Sequence, residues 1–215
     1  MLNFIKKVKN YSKKKFDPKT YYKNISEEVE KELESEKFKP AKHKMKMYRV
    51  NALLKHLETL QFNTMMDVGC GWGFVTKCVL DKFNITYCHC SEASHHNIEK
   101  TKEYLSNYQQ VEFLYSLIED LPPLPKVDLV IATGVLHHVR PENINDVLKK
   151  LLSYTNKYLI HDDPPPNFRG YENQGPNTAN FAHDFITIYQ KLGYTIEVIP
   201  IPNHPRRVIY FLELK

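Results

Sequence analysis

The segment TMMDVGCGWGFVTK, residues 64 to 77, constrains the fold of this chain more than any other. It places Gly69, Gly71 and Gly73 within five positions directly after an apolar run, although the 215 residues include only 7 glycines. Glycine lets the backbone turn sharply and lets a ligand lie against bare main chain. We therefore expect a strand that turns into a helix here, with a ligand bound at the turn.

Strand-like and helical segments alternate along the rest of the chain. Strands are predicted at residues 64–69, 85–91, 111–116, 127–133 and 157–162, and helices near 41–60, 73–82, 95–107, 141–154 and 179–192. A strand followed by a helix, five times over, predicts right-handed crossovers onto a parallel sheet with helices on both faces. The β-rich runs TIEVIPIP and RVIYFLELK are joined by four residues, too few for a crossover, and predict a C-terminal antiparallel hairpin. The fold class is therefore α/β, a three-layer α/β/α sandwich with a mostly parallel, seven-stranded sheet.

Charge divides the chain into two parts. Residues 1–23 hold eight lysines against one aspartate, a net +7, so a total of +5 leaves −2 for residues 24–215. We expect residues 1–40 to form a basic tail and an N-terminal helical cap, and residues 41–215 to form the main domain. The mildly acidic domain does not favour a nucleic acid as the partner, because tracking its backbone needs clustered lysines and arginines on the folded surface.

Apolar runs and cysteines indicate the compartment. No run approaches the ~20 apolar residues of a membrane span, and no secretory signal is evident, so we predict a cytoplasmic protein. Apolar residues among the N-terminal lysines are compatible with a weak peripheral membrane contact. The cysteines, which are Cys70, Cys78, Cys88 and Cys90, form no CxxC pair, and we expect free thiols.

Acidic residues beside the glycines narrow the class of ligand. Asp67 lies two residues before Gly69, where it would repel a pyrophosphate but attract an ammonium or sulfonium group. Phe74 occupies the position of the last glycine in a dinucleotide-binding fingerprint. Glu92 ends the second strand, where it can accept hydrogen bonds from ribose hydroxyls. The expected ligand is a nucleoside without phosphates that carries a positive group.

These motifs resemble those of the class I S-adenosylmethionine-dependent methyltransferases. DVGCGWG is similar to the first motif of that family, CSEAS to the second, and VEFLYSLIEDLPPLPKVDLVIATGVLHHV to the third and fourth. The resemblance covers about residues 45–215 and implies a Rossmann-like fold. It also implies an enzyme that uses S-adenosyl-L-methionine and releases S-adenosyl-L-homocysteine.

The resemblance assigns cofactor-binding roles to positions at the ends of four strands. The positions are Asp67, Gly69, Gly71, Trp72, Gly73, Glu92, Ala93, Ile118, Glu119, Thr133 and Gly134. Asp67 and the glycine loop would hold the methionine part, and Glu92 the ribose. Many family members have an aspartate at the position of Leu117, where it contacts the adenine amine. In this chain either Glu119 makes that contact or the contact is missing. Trp72 either lines the mouth of the cofactor site or packs in the turn.

Catalytic residues are expected after the fourth and fifth strands. Methyl transfer is an in-line displacement, and a hydroxyl acceptor also needs a general base. His137, on the turn expected to face the cofactor, is the first choice for that base, and a structural histidine is the alternative. His161 and Asp162 are expected to orient the acceptor or assist His137. With His183 they are also candidate metal ligands, but their spacing is not diagnostic and no metal site is predicted.

The acceptor is the least defined part of the prediction. His138 is expected to point elsewhere than His137 and is placed among the acceptor-binding residues, which are Tyr21, Tyr22, His138, Arg169 and Tyr171. The polar loop 164–180 is typical of a functional lid or a disordered segment. The leading prediction is O-methylation of a small polar acceptor such as a sugar, a nucleotide sugar or a related metabolite. Alternatives are an RNA methyltransferase that uses the lysine-rich tail, and a cofactor-binding protein without turnover.

Overall fold

A computed structural model of the chain describes residues 39–165, 168 and 180–214, with side chains from residue 45 onward. The helices are α1 (Lys39–Leu57), α2 (Phe74–Lys82), α3 (His95–Tyr104), α4 (Ile144–Tyr154) and α5 (Phe185–Lys191). The strands are β1 (Thr64–Val68), β2 (Tyr87–Glu92), β3 (Val111–Tyr115), β4 (Val127–Thr133), β5 (Thr155–Asp163), β6 (Glu197–Pro200) and β7 (Val208–Glu213). The predicted basic tail lies outside the described residues, and so do Tyr21, Tyr22, Arg169 and Tyr171.

The strands form one seven-stranded sheet in the order β3-β2-β1-β4-β5-β7-β6. Strands β1 to β5 are parallel, and β7 pairs antiparallel with both β5 and β6. The α/β fold class and the C-terminal hairpin are therefore confirmed. Because the chain moves outward in one direction after β1 and in the other after β4, a crevice opens at the carboxyl ends of these two neighbours, where open α/β sheets bind ligands.

Apolar layers pack on both faces of the sheet. On one face, Leu53 and Leu57 of α1 and Ile98 of α3 are buried together with sheet residues such as Leu129. On the other face, α4 buries residues at positions 144, 147, 148, 151 and 152. That three- and four-residue spacing is the apolar stripe of an amphipathic helix. The sheet is thus covered on both sides, as a mostly parallel sheet requires.

The connection between β3 and β4, which the structure describes in full, contains a 3-10 turn, Ile118–Asp120, and no α-helix. No helix was predicted at these positions, so the predicted count of five strand–helix repeats is one too high. The segment that follows the turn contains Pro122, Pro123 and Pro125. Proline lacks the backbone N–H that a helix interior needs, so this segment does not favour a helix.

Two helix starts also lie later than predicted. Helix α5 begins at Phe185 rather than near residue 179, because Asp184 is its N-cap and its side chain accepts from the Thr187 amide at 3.1 Å. Helix α4 begins at Ile144 rather than 141. Among the described residues, no helix is both long and apolar enough to cross a membrane.

Candidate active site

The glycine loop connects β1 to α2 in a conformation that favours glycine. Gly69, Gly71 and Gly73 have φ angles of 68°, 58° and 75°. The amides of Gly69 and Cys70 both donate to the Ser91 carbonyl oxygen, at 2.7 and 3.0 Å, and tie the loop to the end of β2. A Cβ atom at Gly69 would lie 2.5 Å from Val135 Cγ2, whereas one at Gly71 would meet no atom within 4 Å. The loop therefore packs closely at Gly69 and is open at Gly71.

Glu92 connects the glycine loop to the start of α3. Its Oε2 accepts from the Gly71 amide at 2.9 Å, and its Oε1 accepts from the Ser94 amide at 2.8 Å. Burial raises the pKa of Glu92, and the backbone hydrogen bonds oppose that rise. The side chain still lines the cavity described below, so its carboxylate is oriented by the backbone at the place predicted for the ribose.

Asp67 lies beneath the loop, at the end of β1. Its carboxyl is fully buried, and Oδ2 accepts from the Thr76 hydroxyl at 2.6 Å, while Oδ1 has no hydrogen-bond partner among the described residues. Burial raises the pKa of Asp67 to about 8. A pKa near 8 favours the protonated carboxyl at neutral pH, and the role of Asp67 in holding the methionine part stays a prediction.

A cavity of about 390 Å³ opens beside the loop at the carboxyl edge of the sheet. This volume is within the range of small-molecule sites. Its lining residues are Val68, Gly69, Ser91, Glu92, Ala93, Asn97, Ser116, Leu117, Ile118, Glu119, Gly134, Val135, His138, Val139, Arg140 and Asn143. The ends of β1, β2, β3 and β4 all contribute to it, as the sequence predicted.

Six of the predicted cofactor residues line this cavity and five do not. Those on the lining are Gly69, Glu92, Ala93, Ile118, Glu119 and Gly134, and those away from it are Asp67, Gly71, Trp72, Gly73 and Thr133. Trp72 instead donates from its indole N–H to Asn97 Oδ1 at 2.7 Å and so orients a lining residue. Gly73 is where α2 and α3 approach, because a Cβ there would lie 2.8 Å from Thr101 Cγ2.

Sequence reasoning missed other residues on the lining, among them Asn97, Arg140 and Asn143. Asn97 lies in the first turn of α3, and its backbone N–H donates to the hydroxyl of the N-cap Ser94 at 3.2 Å. A Ser followed three residues later by Asn could have marked this helix start in the sequence. Arg140 and Asn143 follow a second 3-10 turn, Leu136–His138, which no sequence pattern indicated.

Behind the cavity, the buried Asp163 carboxylate joins two histidines. Its Oδ1 accepts from His137 Nδ1 at 2.8 Å and from the His137 amide at 3.0 Å, and its Oδ2 accepts from His161 Nδ1 at 2.9 Å. These contacts hold the pKa of Asp163 well below its usual value against the opposing effect of burial. The sequence placed Asp163 with His161 and Asp162 at the end of the fifth strand, and we expected one or two of the three to reach the site. Because β5 alternates its faces, His161 and Asp163 share one face of the sheet.

His137 and His138 are placed differently from the expectation. His138 lines the cavity, whereas His137 is only 3% exposed and does not line it. Burial lowers the pKa of His137, and its Nε2 lies 3.3 Å from a terminal nitrogen of Arg207. With Nδ1–H donated to Asp163, His137 is a neutral imidazole that accepts from Arg207. The expectation that His137 faces the cofactor and His138 points elsewhere is therefore corrected by this arrangement.

The expectation that His161 reaches the site is likewise not met. The ring of His161 is 1% exposed and packs against Phe185, Tyr189 and Tyr210, with ring centroids 4.5, 5.9 and 4.7 Å away. Its Nε2 has no hydrogen-bond partner among the described residues. His161 therefore supports Asp163 from within the core.

Asp162 points to the opposite face of the sheet, where it pairs with Arg49 of α1. Arg49 donates from Nε and Nη2 to the two carboxylate oxygens at 2.8 and 2.6 Å. Arg207 donates to the Asp162 carbonyl oxygen at 3.1 Å. Both guanidinium groups lie over Gly134, since a Cβ there would be 2.9 Å from Arg49 Nη2 and 3.3 Å from Arg207 Nη1. Neither arginine was predicted.

The three candidate metal ligands lie in separate environments. Asp162 is paired with Arg49, His161 with Asp163, and His183 Nε2 contacts the Val139 carbonyl oxygen at 2.9 Å. Within the described residues, no group of three or more His, Cys, Asp or Glu side chains is arranged to hold a metal ion. The three cysteines at positions 70, 88 and 90 are buried free thiols.

Comparison with known protein families relates the cavity residues to a family of enzymes. Residues 66–157, which include the glycine loop, Glu92 and Gly134, match a family model described as a methyltransferase domain. Residues 66–157 therefore belong to a methyltransferase domain, and the fold around them is that of the class I, Rossmann-like methyltransferases. The predicted family is confirmed at the level of this domain.

Known structures extend the similarity of the methyltransferase domain beyond the matched segment. Magnesium protoporphyrin IX methyltransferase from Synechocystis PCC 6803, solved with bound S-adenosylhomocysteine, superimposes with a TM-score of 0.71 at 16% identity. The superposition covers 92% of this chain and 98% of that one. At this identity the likeness establishes the fold.

Two groups of curated relatives match the methyltransferase domain in sequence. The ubiquinone biosynthesis O-methyltransferase of Rickettsia bellii is 29% identical over 116 residues, which span 51% of this chain and 46% of the relative. The tRNA U34 carboxymethyltransferase of Shewanella pealeana is 33% identical over 90 residues, 41% of this chain and 27% of the relative. The chain thus spans about half the length of the curated O-methyltransferase relatives, and less of the tRNA-modifying ones.

The cavity residues of the methyltransferase domain fit the predicted cofactor, S-adenosyl-L-methionine with S-adenosyl-L-homocysteine as product. Glu92 presents a carboxylate where two ribose hydroxyls can donate, and Leu117 and Ile118 supply an apolar surface suited to adenine. Gly69 and Gly134 line the cavity and present bare backbone against which the methionine part can lie.

Proposed function

We propose that this chain transfers a methyl group from S-adenosyl-L-methionine to a hydroxyl of a small polar acceptor, such as a sugar, a nucleotide sugar or a related metabolite. The observation that supports it most is the adjacency of two features around Gly134. The cavity with Glu92 lies on one side of it, and the buried cluster of Asp163, His137 and Arg207 lies on the other.

Cofactor binding in this proposal uses the lining residues. Glu92 accepts from the ribose hydroxyls, and Ala93 and Ile118 contact the adenine. Glu119 accepts from the adenine amine, because Leu117 stands where many family members have an aspartate for that contact. The cofactor supplies an electrophilic methyl group on a sulfonium, and the protein aligns the acceptor oxygen with it and excludes water.

The proton of the acceptor hydroxyl is assigned to His137. Its Nδ1–H is held by Asp163, so Nε2 is the basic nitrogen, and the lowered pKa keeps the ring neutral at pH 7. His137 is buried, does not line the cavity and has Nε2 3.3 Å from Arg207, so the proposal requires Arg207 to move away and open Nε2 to the acceptor before His137 accepts a proton. His138, on the cavity lining, is proposed to contact the acceptor.

The test is a binding and turnover experiment on the full chain. We expect calorimetry to detect S-adenosyl-L-homocysteine binding, and we expect labelled methyl transfer to at least one hydroxyl acceptor in a panel of sugars, nucleotide sugars and phenols. His137→Asn should lower kcat about 10²- to 10⁴-fold and leave the affinity for S-adenosyl-L-homocysteine unchanged. The exposed His95→Asn is the matched control.

Cofactor binding without methyl transfer to any acceptor, RNA included, would contradict the proposal and support a cofactor-binding protein without turnover. An unchanged kcat in His137→Asn would instead contradict only the assignment of the base. The cytoplasmic location stays a prediction.

An RNA acceptor is the second candidate. Two observations favour it: the match to tRNA U34 carboxymethyltransferases, and eight lysines in residues 1–23. Such a segment would act as an electrostatic arm on the phosphate backbone. The net −2 of the remaining residues is the reason to rank it second.

A further inference from the structure

The ion pair between Arg49 and Asp162 joins two distant parts of the chain at the edge of the cofactor cavity. The residues are 113 positions apart, and their side chains meet in a two-bonded contact at 2.8 and 2.6 Å. Asp162 is 5% exposed and Arg49 is 24% exposed. The guanidinium is therefore fixed at one edge by a buried carboxylate, and the Arg49 side chain remains partly exposed.

The guanidinium lies over Gly134. A Cβ atom built at Gly134 would have Arg49 Nη2 as its nearest neighbour, at 2.9 Å, and Gly134 lines the cavity. The next residue, Val135, packs against Gly69, since a Cβ at Gly69 would lie 2.5 Å from Val135 Cγ2. Gly134 and the glycine loop are thus neighbours, and Arg49 lies directly above them.

The same side of the loop faces further positive charge from α1. Lys46 lies one helical turn before Arg49, and its Nζ is 4.2 Å from the centre of the Phe74 ring at the start of α2. The α2 N-terminus, which carries partial positive charge, has Gly73 as its N-cap and no side-chain cap. A ligand group that enters between the loop and Gly134 therefore meets a positive environment suited to a carboxylate.

We propose that Arg49 binds the α-carboxylate of the cofactor's methionine tail, and that Asp162 is a positioning residue that holds Arg49 in place for this contact. The inference rests on the proposed function, because it needs a cofactor with an amino-acid tail in this cavity. It replaces the predicted catalytic role of Asp162, whose carboxylate is directed at Arg49. A planar guanidinium suits this role because it can bind one carboxylate along one edge and a second along another.

Two nucleoside ligands that differ only in the tail test the inference. S-adenosyl-L-homocysteine carries the amino-acid tail, and 5′-methylthioadenosine has the same nucleoside and thioether without it. Calorimetry on the full chain would measure both dissociation constants for wild type, Arg49→Gln, Asp162→Asn and Arg207→Gln. Arg206→Gln, at the neighbouring exposed position, is the matched control for loss of one arginine charge.

We expect Arg49→Gln to weaken S-adenosyl-L-homocysteine binding about 10- to 100-fold, as for loss of a hydrogen bond between charged groups. Its affinity for 5′-methylthioadenosine should stay within about twofold of wild type by the same argument. Asp162→Asn should lower the preference for the tailed ligand by a smaller factor, because the guanidinium loses its orientation but keeps its charge. Arg207→Gln and Arg206→Gln should leave the preference unchanged.

Equal loss of both ligands in Arg49→Gln would overturn the inference, because it would indicate a structural role. A selective loss in Arg207→Gln rather than Arg49→Gln would also overturn it. If wild type binds neither ligand, the proposed function itself fails. If thermal unfolding shows that Arg49→Gln is not folded, Arg49→Lys replaces it. Lysine keeps the charge but cannot bind two carboxylates along two edges, so the same selective loss of S-adenosyl-L-homocysteine binding is expected.

Discussion

At the scale of single residues, Val135 determines how the glycine loop responds to an added side chain. Gly69 and Gly71 have similar positive φ angles, 68° and 58°, so alanine is strained at both. They differ in space, because only Gly69 has Val135 Cγ2 at 2.5 Å from a built Cβ. The two positions therefore separate backbone strain from steric overlap.

The first prediction uses this pair. Gly71→Ala should lower the free energy of unfolding by about 1–2 kcal/mol, the cost of a left-handed alanine. Gly69→Ala should cost about 1–3 kcal/mol more, because Val135 has to move in a packed core. Urea unfolding of the two variants measures both values, and equal costs would contradict the packing argument.

Asp67 provides a second prediction, on pH. Its pKa is about 8 in the folded chain and near 3.8 when exposed, so between these values the folded state holds a proton that the unfolded state has released. Stability from this group is therefore lost as pH rises through this window. Relative to Asp67→Asn, wild type should lose up to about 1.4 kcal/mol for each pH unit from pH 5 to 8.

The measurement for Asp67 is a set of urea unfolding curves for both proteins across that pH range. Asparagine keeps an oxygen that can accept from the Thr76 hydroxyl, so the variant retains that contact. Parallel pH profiles for wild type and Asp67→Asn would show that Asp67 is ionised in the folded chain.

Residue-scale prediction from sequence succeeded where chemistry depends on short spacing and failed where it depends on long-range contact. Gly69 follows β1 and Glu92 ends β2 of the same βαβ unit, so their position on the cavity was predictable. Arg49 lies 113 positions before its partner Asp162, and no local pattern indicates that the two side chains meet. His137 could be located after β4, but its direction depends on Asp163 across the sheet.

At the scale of elements, α1 both covers the sheet and carries Arg49. Leu53 and Leu57 of this helix are buried in the core, while Arg49 pairs with Asp162 near the cavity. The packing of α1 therefore sets the position of the guanidinium. The sequence predicted a helix near residues 41–60, but it did not predict the contact of Arg49 with Asp162.

The third prediction concerns this helix. Leu57 is fully buried, and Leu57→Ala should lower the free energy of unfolding by about 2–5 kcal/mol through lost apolar contact and the cavity left behind. The exposed Lys55→Ala is the control and should change stability by less than about 0.5 kcal/mol. Urea unfolding measures both, and a similar small effect for the two variants would show that α1 is not packed as described.

The connection between β3 and β4 was predictable from its composition. Prolines at 122, 123 and 125 exclude a helix interior, and no helix was predicted or found at these positions. Only the count of five strand–helix repeats was wrong, because this connection lacks a helix. The short link before β7 likewise predicted a hairpin, and the structure contains it.

At the scale of the whole molecule, charge is divided between residues 1–23 and the rest of the chain. The formal charge of +7 in that segment against −2 elsewhere was readable from composition alone. The choice between a small acceptor and RNA depends on what this segment does.

The final prediction concerns a full-chain variant in which six lysines are replaced with glutamine. The positions are Lys6, Lys7, Lys9, Lys13, Lys14 and Lys15. Under the leading proposal, methyl transfer to the small acceptor is unchanged, and only weak, salt-sensitive tRNA binding is lost. The RNA candidate would be favoured if wild type methylated tRNA and the variant did not. The tRNA affinity of the variant should then also depend less steeply on salt concentration than that of wild type.

The place of β7 in the sheet has a consequence for biosynthesis. Strand β7 lies between β5 and β6, although it is the last strand in the sequence. A ribosome releases the N-terminal part of a chain first, so β5 must wait with one edge unpaired until residues 208–213 have left the exit tunnel. Because Arg207 directly precedes β7, the nascent chain completes its candidate active site only when this strand inserts.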